Sequence, residues 1–277
     1  MASPRISFEF FPPRTAEQQL ILESTWQKLA PLHPDYLSVT FGAGGSTLEA
    51  TRETVEALSS QTDVPVAPHI SCMARDRQML HDILTAYKEQ GVSRLVVLRG
   101  DRPEGLQGPG PFQYANELVA FIRSEFGDFF HIEVACYPEI HPESASPQSE
   151  LHFFKQKVDA GADGAVTQYF YNPDAYFSFL DDCHRLGIDV PVTPGIMPIT
   201  NYRQLARFSN MCGAEIPQWI RRRLEGFGDD GASIRAFGLD VVTSLCERLL
   251  QGGAPGLHIY TLNRANASFL LWQRLTG

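Results

Sequence analysis

The sequence lacks several features that would place it in other classes of protein. No apolar run approaches the ~20 residues that a membrane-spanning helix requires, and Met1 to Arg5 are not followed by the apolar segment of a signal peptide. Its five cysteines include no pair with CxxC spacing. An odd number of cysteines fits reduced thiols better than a disulfide framework. We therefore expect a cytoplasmic protein with no membrane partner and no metal site built on cysteine pairs.

Positive charge is also in the minority. The chain has 23 Lys and Arg residues against 32 Asp and Glu residues, a formal net charge of −9. Because nucleic acids and anionic membranes attract basic surfaces, this balance argues against both as partners, although it leaves room for a local basic pocket. No linker or low-complexity segment interrupts the chain, and 43% of its 277 residues are hydrophobic. These features predict a single domain, residues 1–277, around one large core.

Hydrophobic periodicity predicts eight strands that alternate with helices. The predicted strands comprise residues 6–10, 36–40, 64–70, 94–98, 130–136, 164–168, 190–193 and 257–260. Two further helices, at residues 201–209 and 216–224, are expected before a long helix and the last strand. The pattern predicts the α/β class and a (β/α)8 TIM barrel with extra helices before the last strand. A doubly wound open sheet is the alternative.

Nearly every predicted strand ends on a side chain that can form hydrogen bonds or titrate. Active sites of such barrels lie at the carboxyl ends of the strands, so these residues predict a functional rim. The strand-end residues are Glu9, Thr40, His69, Arg99 with Asp101, Tyr137, Gln168, Pro194 with Gly195, and Asn263 with Arg264.

Glu9 is the first candidate for a catalytic residue. It alternates with Phe8 and Phe10 in the first predicted strand. Aromatic surroundings disfavour a charged carboxylate, so Glu9 is interpreted as a general acid. The structural alternative is a buried ion pair with Arg14 or Arg99.

Several other rim residues also have two interpretations. Gly100 would let the backbone approach a ligand closely, and Asp101 could act on that ligand. Residues 98–101 could instead form a simple turn with a solvated Arg–Asp pair. His69 could be a structural, hydrogen-bonded histidine, and no second ligand at a suitable spacing supports a metal site. The glycine-rich turn at residues 42–45 is not a dinucleotide fingerprint, because Thr47 stands where that motif needs glycine.

Three residues of the helices have similar alternatives. Lys157 could bind phosphate groups together with the loop after Tyr137, or it could be a surface lysine. Gln204 could bind a ligand or take part in a capping box with Asn201. Phe208 could be a core aromatic or a face on which a planar ligand stacks.

Taken together, the motifs resemble those of bacterial methylenetetrahydrofolate reductases. The chain carries, in that family's order, SFEFFPPR (residues 7–14), LRGD (98–101), YPEIHP (137–142), TQ (167–168), PGIMP (194–198) and YTLNR (260–264). The resemblance covers essentially the whole chain and implies the short, catalytic-domain-only form, without the regulatory domain of eukaryotic relatives.

The resemblance also implies a reaction. The family uses non-covalent FAD, which takes a hydride from NADH or NADPH and passes it to methylenetetrahydrofolate, giving methyltetrahydrofolate in a ping-pong cycle that feeds methionine synthesis. Glu9 matches the general acid that protonates a folate nitrogen, so that the five-membered ring opens to an iminium cation. Asp101 matches the aspartate that lies beside the flavin and stabilises positive charge. A homo-oligomer is expected.

Binding residues follow from the same matches. Folate-holding positions fall on Gln168, Gln204, Phe208 and Arg264. FAD-contacting positions fall on Thr40, His69, Leu98, Arg99, Gly100, Asp101, Tyr114, Ala115, Ala135, Tyr137, His141, Glu150, Lys157 and Ala162. Two departures from the family concern this cofactor: Glu150 replaces an aspartate, and the loop at residues 103–111 is longer.

Two other functions stay open at this point. One is a flavin barrel of the proline dehydrogenase type, which would oxidise its substrate and would not need Glu9 and Asp101 as paired carboxylates. The other is a non-catalytic subunit that depends on a second protein for electrons.

Overall fold

The computed structural model describes residues 4–41, 48–72, 76–100 and 110–277. Asp101, the glycine-rich turn at residues 42–45 and most of the 103–111 loop therefore lie outside the described residues. Within the described ranges the strands are β1 (Arg5–Phe10), β2 (Tyr36–Val39), β3 (Val66–Ser71), β4 (Arg94–Leu98), β5 (His131–Cys136), β6 (Gly164–Thr167), β7 (Val192–Thr193), β8 (Gly195–Ile196) and β9 (Gly256–Tyr260).

These strands form a nearly closed parallel barrel. Their order is β7-β6-β5-β4-β3-β2-β1-β9-β8, and every pairing between neighbours is parallel. The predicted TIM-barrel-like α/β fold is confirmed, and the open-sheet alternative is not supported.

The predicted strand at residues 190–193 differs from the structure. It is replaced by β7 and β8, which are separated only by Pro194. Proline has no backbone N–H and cannot continue a ladder. β7 therefore pairs with β6, and β8 pairs with β9. The two short strands together fill the position between β6 and β9 that a single strand would otherwise occupy.

The helices alternate with the strands as predicted. They are α1 (Ala16–Leu29), α2 (Leu48–Ser59), α3 (Arg77–Glu89), α4 (Ala115–Phe126), α5 (Pro147–Asp159), α6 (Pro173–Arg185), α7 (Tyr202–Cys212), α8 (Gln218–Gly226), α9 (Gly231–Gln251) and α10 (Ala265–Thr276). The extra helices before the last strand, α7 to α9, are confirmed. No helix in the described ranges combines the length and the apolar character that crossing a membrane requires.

Several helix starts follow from local chemistry. The side chain of Asp76 accepts a hydrogen bond from Met79 N–H and caps α3. α5 begins at Pro147, because Ser146 caps it and proline is well suited to the first turn.

The two faces of the barrel strands differ in chemistry. Phe8, Phe10 and Leu37 are fully buried in the hydrophobic core, whereas the alternating residues Ser7 and Glu9 share the other face of β1. Register pairs Ser7 with both Tyr36 and His258. The barrel interior therefore contains a polar set beside a small apolar cluster of Tyr36, Ala67 and Val96, whereas the layer between strands and helices is predominantly apolar.

Candidate active site

Glu9 lies near the carboxyl end of β1 with its side chain 19% exposed. Its Oε2 is 3.4 Å from His69 Nε2 and 3.7 Å from His258 Nε2. Thr261 fixes the backbone here, because its hydroxyl donates to the Glu9 carbonyl oxygen at 2.6 Å. In the described part of the chain the groups nearest the Glu9 carboxylate are thus histidines, and the alternative of an ion pair with Arg14 or Arg99 is not found.

Two buried polar atoms near the carboxyl ends of β2 and β3 form no hydrogen bond among the described residues: Thr40 Oγ1 and His69 Nε2. Buried polar groups in proteins are nearly always bonded, so an unbonded pair at a strand end indicates a place where a ligand supplies the partner. Two other such atoms, Tyr87 Oη and Ser268 Oγ, belong to helices α3 and α10 and not to the strand ends.

The electrostatics of His69 favour a neutral ring. Burial lowers the pKa of His69 below its ordinary value, and the nearby Glu9 carboxylate offsets this only in part. A neutral imidazole can donate from one nitrogen and accept at the other. His69 is therefore suited to hydrogen bonding with a neutral ring system as well as with Glu9.

Lys157, on α5, is directed at a barrel strand. Its Nζ donates to the carbonyl oxygen of Ala135 at 2.5 Å. Burial lowers the pKa of Lys157. The interpretation as a solvated surface lysine is therefore wrong. Lys157 fixes the backbone of β5 at Ala135, another predicted cofactor position.

The loop after β5 brings three predicted cofactor residues together. The ring of Tyr137 packs edge-to-face on His141, with 4.8 Å between the ring centroids. The buried Glu150 carboxylate accepts from the Ser144 hydroxyl at 2.5 Å and from the His141 N–H at 3.4 Å. The residue that departs from the family pattern, Glu150, thus binds the loop itself.

The chain after β4 reaches the same loop. Arg99 Nη1 is 2.6 Å from Glu143 Oε2, and Gly100 has a φ of +77°. A positive φ is readily adopted only by glycine, so Gly100 turns the chain at the strand end. Leu98 is held at its carbonyl oxygen by the Cys72 N–H at 3.3 Å.

The remaining cofactor candidates differ in exposure. Tyr114, just before α4, is 51% exposed, whereas Ala115 and Ala162 are buried. The described contacts bring none of the three to Glu9.

The four predicted folate residues are dispersed. Gln168 directly follows β6, and its Oε1 accepts from the Tyr169 N–H at 3.0 Å. Arg264 is exposed and precedes α10. The described contacts join neither of them to Glu9.

The other two folate candidates lie on α7. The backbone N–H of Gln204 donates to the Asn201 side chain at 2.9 Å, which is one half of the predicted capping box, and the reciprocal bond from the Gln204 side chain is not found among the described residues. Phe208 is half-buried and packs against the core. Neither makes a described contact with Glu9.

One carboxylate connects the loop after β5 with the segment after α7. Glu139 accepts from the backbone N–H of Glu215 at 2.7 Å. Burial raises the pKa of Glu139 to about 7, against the lowering effect of that hydrogen bond. The bond holds the loop that contains Tyr137 and His141 next to the chain segment that follows Gln204 and Phe208.

A second glycine position has a packing role. A Cβ on Gly195 would lie 2.2 Å from the Thr167 carbonyl oxygen and 2.5 Å from Tyr260 Oη. Gly195 is required because three strands approach closely here, so the PGIMP motif supports the barrel wall rather than a ligand.

Sequence reasoning missed His258, although it is buried and adjoins Glu9. The available signal was alternation: His258 and Tyr260 share one face of β9, and register places them beside Ser7 and Glu9. No group of three or more potential metal ligands occurs among the residues that the structure describes.

Comparison with known proteins places this geometry in a family. The family model for methylenetetrahydrofolate reductase matches residues 1–276. The 5,10-methylenetetrahydrofolate reductase of Pectobacterium carotovorum subsp. carotovorum is 38% identical over 270 residues, which are 98% of this chain and 89% of that protein. The enzyme of the same name from Escherichia coli (strain K12) is 37% identical over 270 residues, 98% of this chain and 90% of that protein.

A solved structure shares the fold. An uncharacterized protein from Clostridium thermocellum, described as binding two copies of 5-methyl-5,6,7,8-tetrahydrofolic acid, matches with a TM-score of 0.71 over 98% of this chain and 96% of that chain, at 16% identity. The family match over nearly the whole length and the identity to two bacterial reductases lead to one conclusion. The chain belongs to the methylenetetrahydrofolate reductase family.

Proposed function

We propose that this protein reduces 5,10-methylenetetrahydrofolate to 5-methyltetrahydrofolate, with FAD as a bound hydride carrier and NADH or NADPH as the reductant. The observation that carries the proposal is the position of Glu9: a partly exposed carboxylate at a strand end, 3.4 Å from His69 and adjacent to unbonded buried polar atoms. Family membership supplies the substrate class.

Glu9 acts as the general acid in this proposal. Reduction of a cyclic methylene group needs a proton on the departing nitrogen, so that the ring opens to the iminium that accepts hydride. Oε2 of Glu9 lies close to two buried histidines, and the backbone of Glu9 is fixed by the hydrogen bond from Thr261 to its carbonyl oxygen. This placement at the strand end puts the carboxyl within reach of a substrate that covers the rim.

FAD, when bound, supplies the hydride. Thr40 Oγ1 and His69 Nε2 fit this group, because each needs a hydrogen-bond partner that the described residues do not provide. Tyr137 and His141 offer ring faces and edges, and Arg99 offers positive charge near the same loop. Lys157 supports the site through the backbone of β5. Asp101 is part of the proposal as the carboxylate that stabilises the cationic folate.

The folate would lie between the rim and α7. Gln204 has a free side-chain amide for a polar ring, and Phe208 is half-buried at the edge of the core, where an aromatic face can stack on the aminobenzoyl part. Gln168 and Arg264 complete the proposed set from the ends of β6 and the start of α10.

Oligomeric state and location belong to the same proposal. Exposed Met211 and Trp219, on α7 and α8, support a homo-oligomer. Five free cysteines, four of them buried, support a reducing compartment, the cytoplasm. We treat residues 1–277 as one catalytic domain.

An anaerobic visible spectrum tests the proposal. NADH is added to the purified protein with FAD, and methylenetetrahydrofolate follows. A flavin band that bleaches with NADH and returns with the folate is expected. A band that bleaches but does not respond to the folate would contradict the proposed substrate, and a protein that binds no FAD would contradict the flavoenzyme assignment.

A further inference from the structure

The interior of the barrel contains a chain of polar side chains that ends at Glu9. Tyr36 Oη donates to Glu133 Oε2 at 2.5 Å, although β2 and β5 are not neighbours in the sheet. The bond therefore crosses the barrel. The same hydroxyl is 3.3 Å from His258 Nδ1, and His258 Nε2 is 3.7 Å from Glu9 Oε2.

The other end of this chain opens toward solvent. A cavity of about 80 Å³ is lined by Tyr36, Arg94, Glu133 and other residues at or near the starts of β1, β2, β4, β5, β6, β7 and β9. It therefore lies at the amino-terminal mouth, opposite the rim. At about 10–15 Å³ for each water, it has room for roughly five water molecules.

The protonation states suit proton transfer. Burial and the Glu133 carboxylate raise the pKa of Tyr36 well above its ordinary value, so Tyr36 keeps its hydroxyl proton. Burial alone would raise the pKa of Glu133, but hydrogen bonds with His131 and Tyr36 and the charge of Arg94 lower it overall. A protonated hydroxyl thus lies between a carboxylate and an imidazole nitrogen.

We propose that Glu133, Tyr36 and His258 form a proton path that resupplies Glu9 from solvent at the amino-terminal mouth. The inference rests on the proposed function, in which each turnover consumes one proton through Glu9. Folate and FAD would cover the rim during the reaction. A path through the barrel lets the proton arrive from the uncovered end.

The transfer moves one proton and no electrons. His258 breaks its Nε2–H bond and forms an O–H bond on the Glu9 carboxylate. Its Nδ1 takes the proton of the Tyr36 hydroxyl, and the Tyr36 oxygen takes a proton that the Glu133 carboxylate has first accepted from a hydronium ion at the mouth, which leaves a neutral water molecule behind. The path resets when the hydroxyl and the imidazole ring turn back.

The last step needs a small movement. The 3.7 Å between His258 Nε2 and Glu9 Oε2 exceeds a hydrogen bond, so the Glu9 side chain must rotate toward His258. Ser7 Oγ lies 2.7 Å from His258 Nδ1, so its hydroxyl must turn aside before Nδ1 takes the Tyr36 proton, and Ser38 Oγ lies 3.4 Å from Nε2.

Other groups face the path from the packed strands. His258 is edge-on to Tyr260 of its own strand, and His69 contacts Glu9 from β3. At the mouth, Arg94 Nη1 is 3.1 Å from Glu133 Oε1, and His131 Nε2 is 3.9 Å from the same oxygen. These groups fix the charge of Glu133 but do not bridge to Glu9.

Two variants test the path: Tyr36→Phe, which removes only the hydroxyl, and Glu133→Gln, which keeps the side-chain shape. Each would be reduced by NADH and mixed rapidly with methylenetetrahydrofolate, and flavin absorbance would be followed through the first and later turnovers. The general-acid role proposed above requires Glu9 to carry its proton when the folate binds, so the first turnover should keep the parent rate. Later turnovers should slow about tenfold and show an increased solvent isotope effect, since delivery of a new proton has become limiting.

The matched control is Tyr176→Phe. Tyr176 is also buried, and its hydroxyl donates to the Val192 carbonyl at 2.8 Å outside the interior chain. It should behave like the parent in both phases.

Each other outcome has a distinct meaning. Parent-like later turnovers in both path variants would overturn the path and leave the proposed function intact. Equal slowing of first and later turnovers would also overturn it, in favour of a structural role. A parent protein that never reduces the folate would contradict the proposed function itself, and the path with it.

Discussion

The two ends of the barrel differ in whether certain buried or charged side chains have a bonding partner. At the amino-terminal mouth the charged groups are paired: Arg94 with Glu133 at 3.1 Å, and Arg5 with Asp35 at 3.1 Å. At the carboxyl-terminal rim, Thr40 Oγ1 and His69 Nε2 are buried without a hydrogen-bond partner among the described residues.

This difference separates structural from functional polar groups. An unpaired buried polar atom costs about 1–3 kcal/mol, so folding alone does not favour it. A paired and bonded group at the mouth stabilises the fold, whereas an unpaired one at the rim is explained by a ligand that completes it. Removing a side chain at the mouth should therefore cost stability in addition to any slowing of proton resupply, whereas removing one at the rim should cost binding or turnover with little change in stability.

The largest effect is expected at Glu9. Glu9→Gln keeps the size of the side chain but removes the acid, and a general acid contributes about 100- to 10,000-fold in rate. Steady-state folate reduction should fall by roughly 100-fold or more, with a free energy of unfolding close to that of the parent. The control is Glu17→Gln, an exposed carboxylate on α1, which should leave turnover unchanged.

Loss of a carboxylate at the mouth should lower the free energy of unfolding, which Glu9→Gln should leave nearly unchanged. Glu133→Ala leaves Arg94 and the Tyr36 hydroxyl without their partner in a poorly solvated interior. Breaking such a pair costs about 3–5 kcal/mol, and we expect about 3 kcal/mol because Arg94 is partly exposed. Urea unfolding measures this loss. A change below about 0.5 kcal/mol would show that the mouth does not support the fold.

Acid should weaken the mouth selectively. The pKa of Glu133 is lowered in the folded protein, so its contribution to stability is present above the ordinary glutamate pKa of about 4.3 and is lost as the pH falls through the lowered value. Glu133→Gln should therefore lose less stability than the parent between pH 5 and acid unfolding. Urea midpoints across that range measure the difference, and parallel curves would contradict it.

The smallest effect is expected at Thr40. Its hydroxyl has no described partner, so Thr40→Val should keep the free energy of unfolding or raise it by about 1 kcal/mol. If that hydroxyl binds FAD, affinity should drop by about 1 kcal/mol, roughly fivefold, in a fluorescence titration.

Thr243→Val is the control for Thr40. The Thr243 hydroxyl donates to the Leu239 carbonyl at 2.7 Å within α9. This variant should lose stability and keep FAD affinity. If Thr40→Val lost stability and kept FAD affinity, while Thr243→Val kept stability and lost FAD affinity, the proposed role of unbonded rim atoms in binding would be contradicted.

Much of the fold was predictable because the deciding signals are local. Helix caps such as Asp76 and the spacing of apolar segments depend on neighbouring residues, and the eightfold alternation follows from them. The split at Pro194 was not predictable, because whether a proline interrupts a strand depends on which neighbours that strand pairs with.

For the candidate site, too, only the features that depend on local sequence were predictable, namely which residues stand at the strand ends. Thr40, His69 and Glu9 follow from the rule that barrel strands carry functional groups at their carboxyl ends. The contact between Glu9 and His258 depends on the register between the first and last strands, which no local pattern reveals. The polar set of Ser7, Tyr36 and Glu133 inside the barrel was missed for a related reason, because its bonds join strands that are distant in the sequence.

The most direct test of the account separates the two halves of the reaction in the Glu9→Gln variant. The variant and the parent, each with FAD, would be reduced anaerobically with NADH and then mixed with methylenetetrahydrofolate, and the flavin band would be followed. The account predicts that NADH bleaches both proteins equally and that the folate restores the band only in the parent. Recovery of the variant at the parent rate would show that Glu9 is not the proton donor.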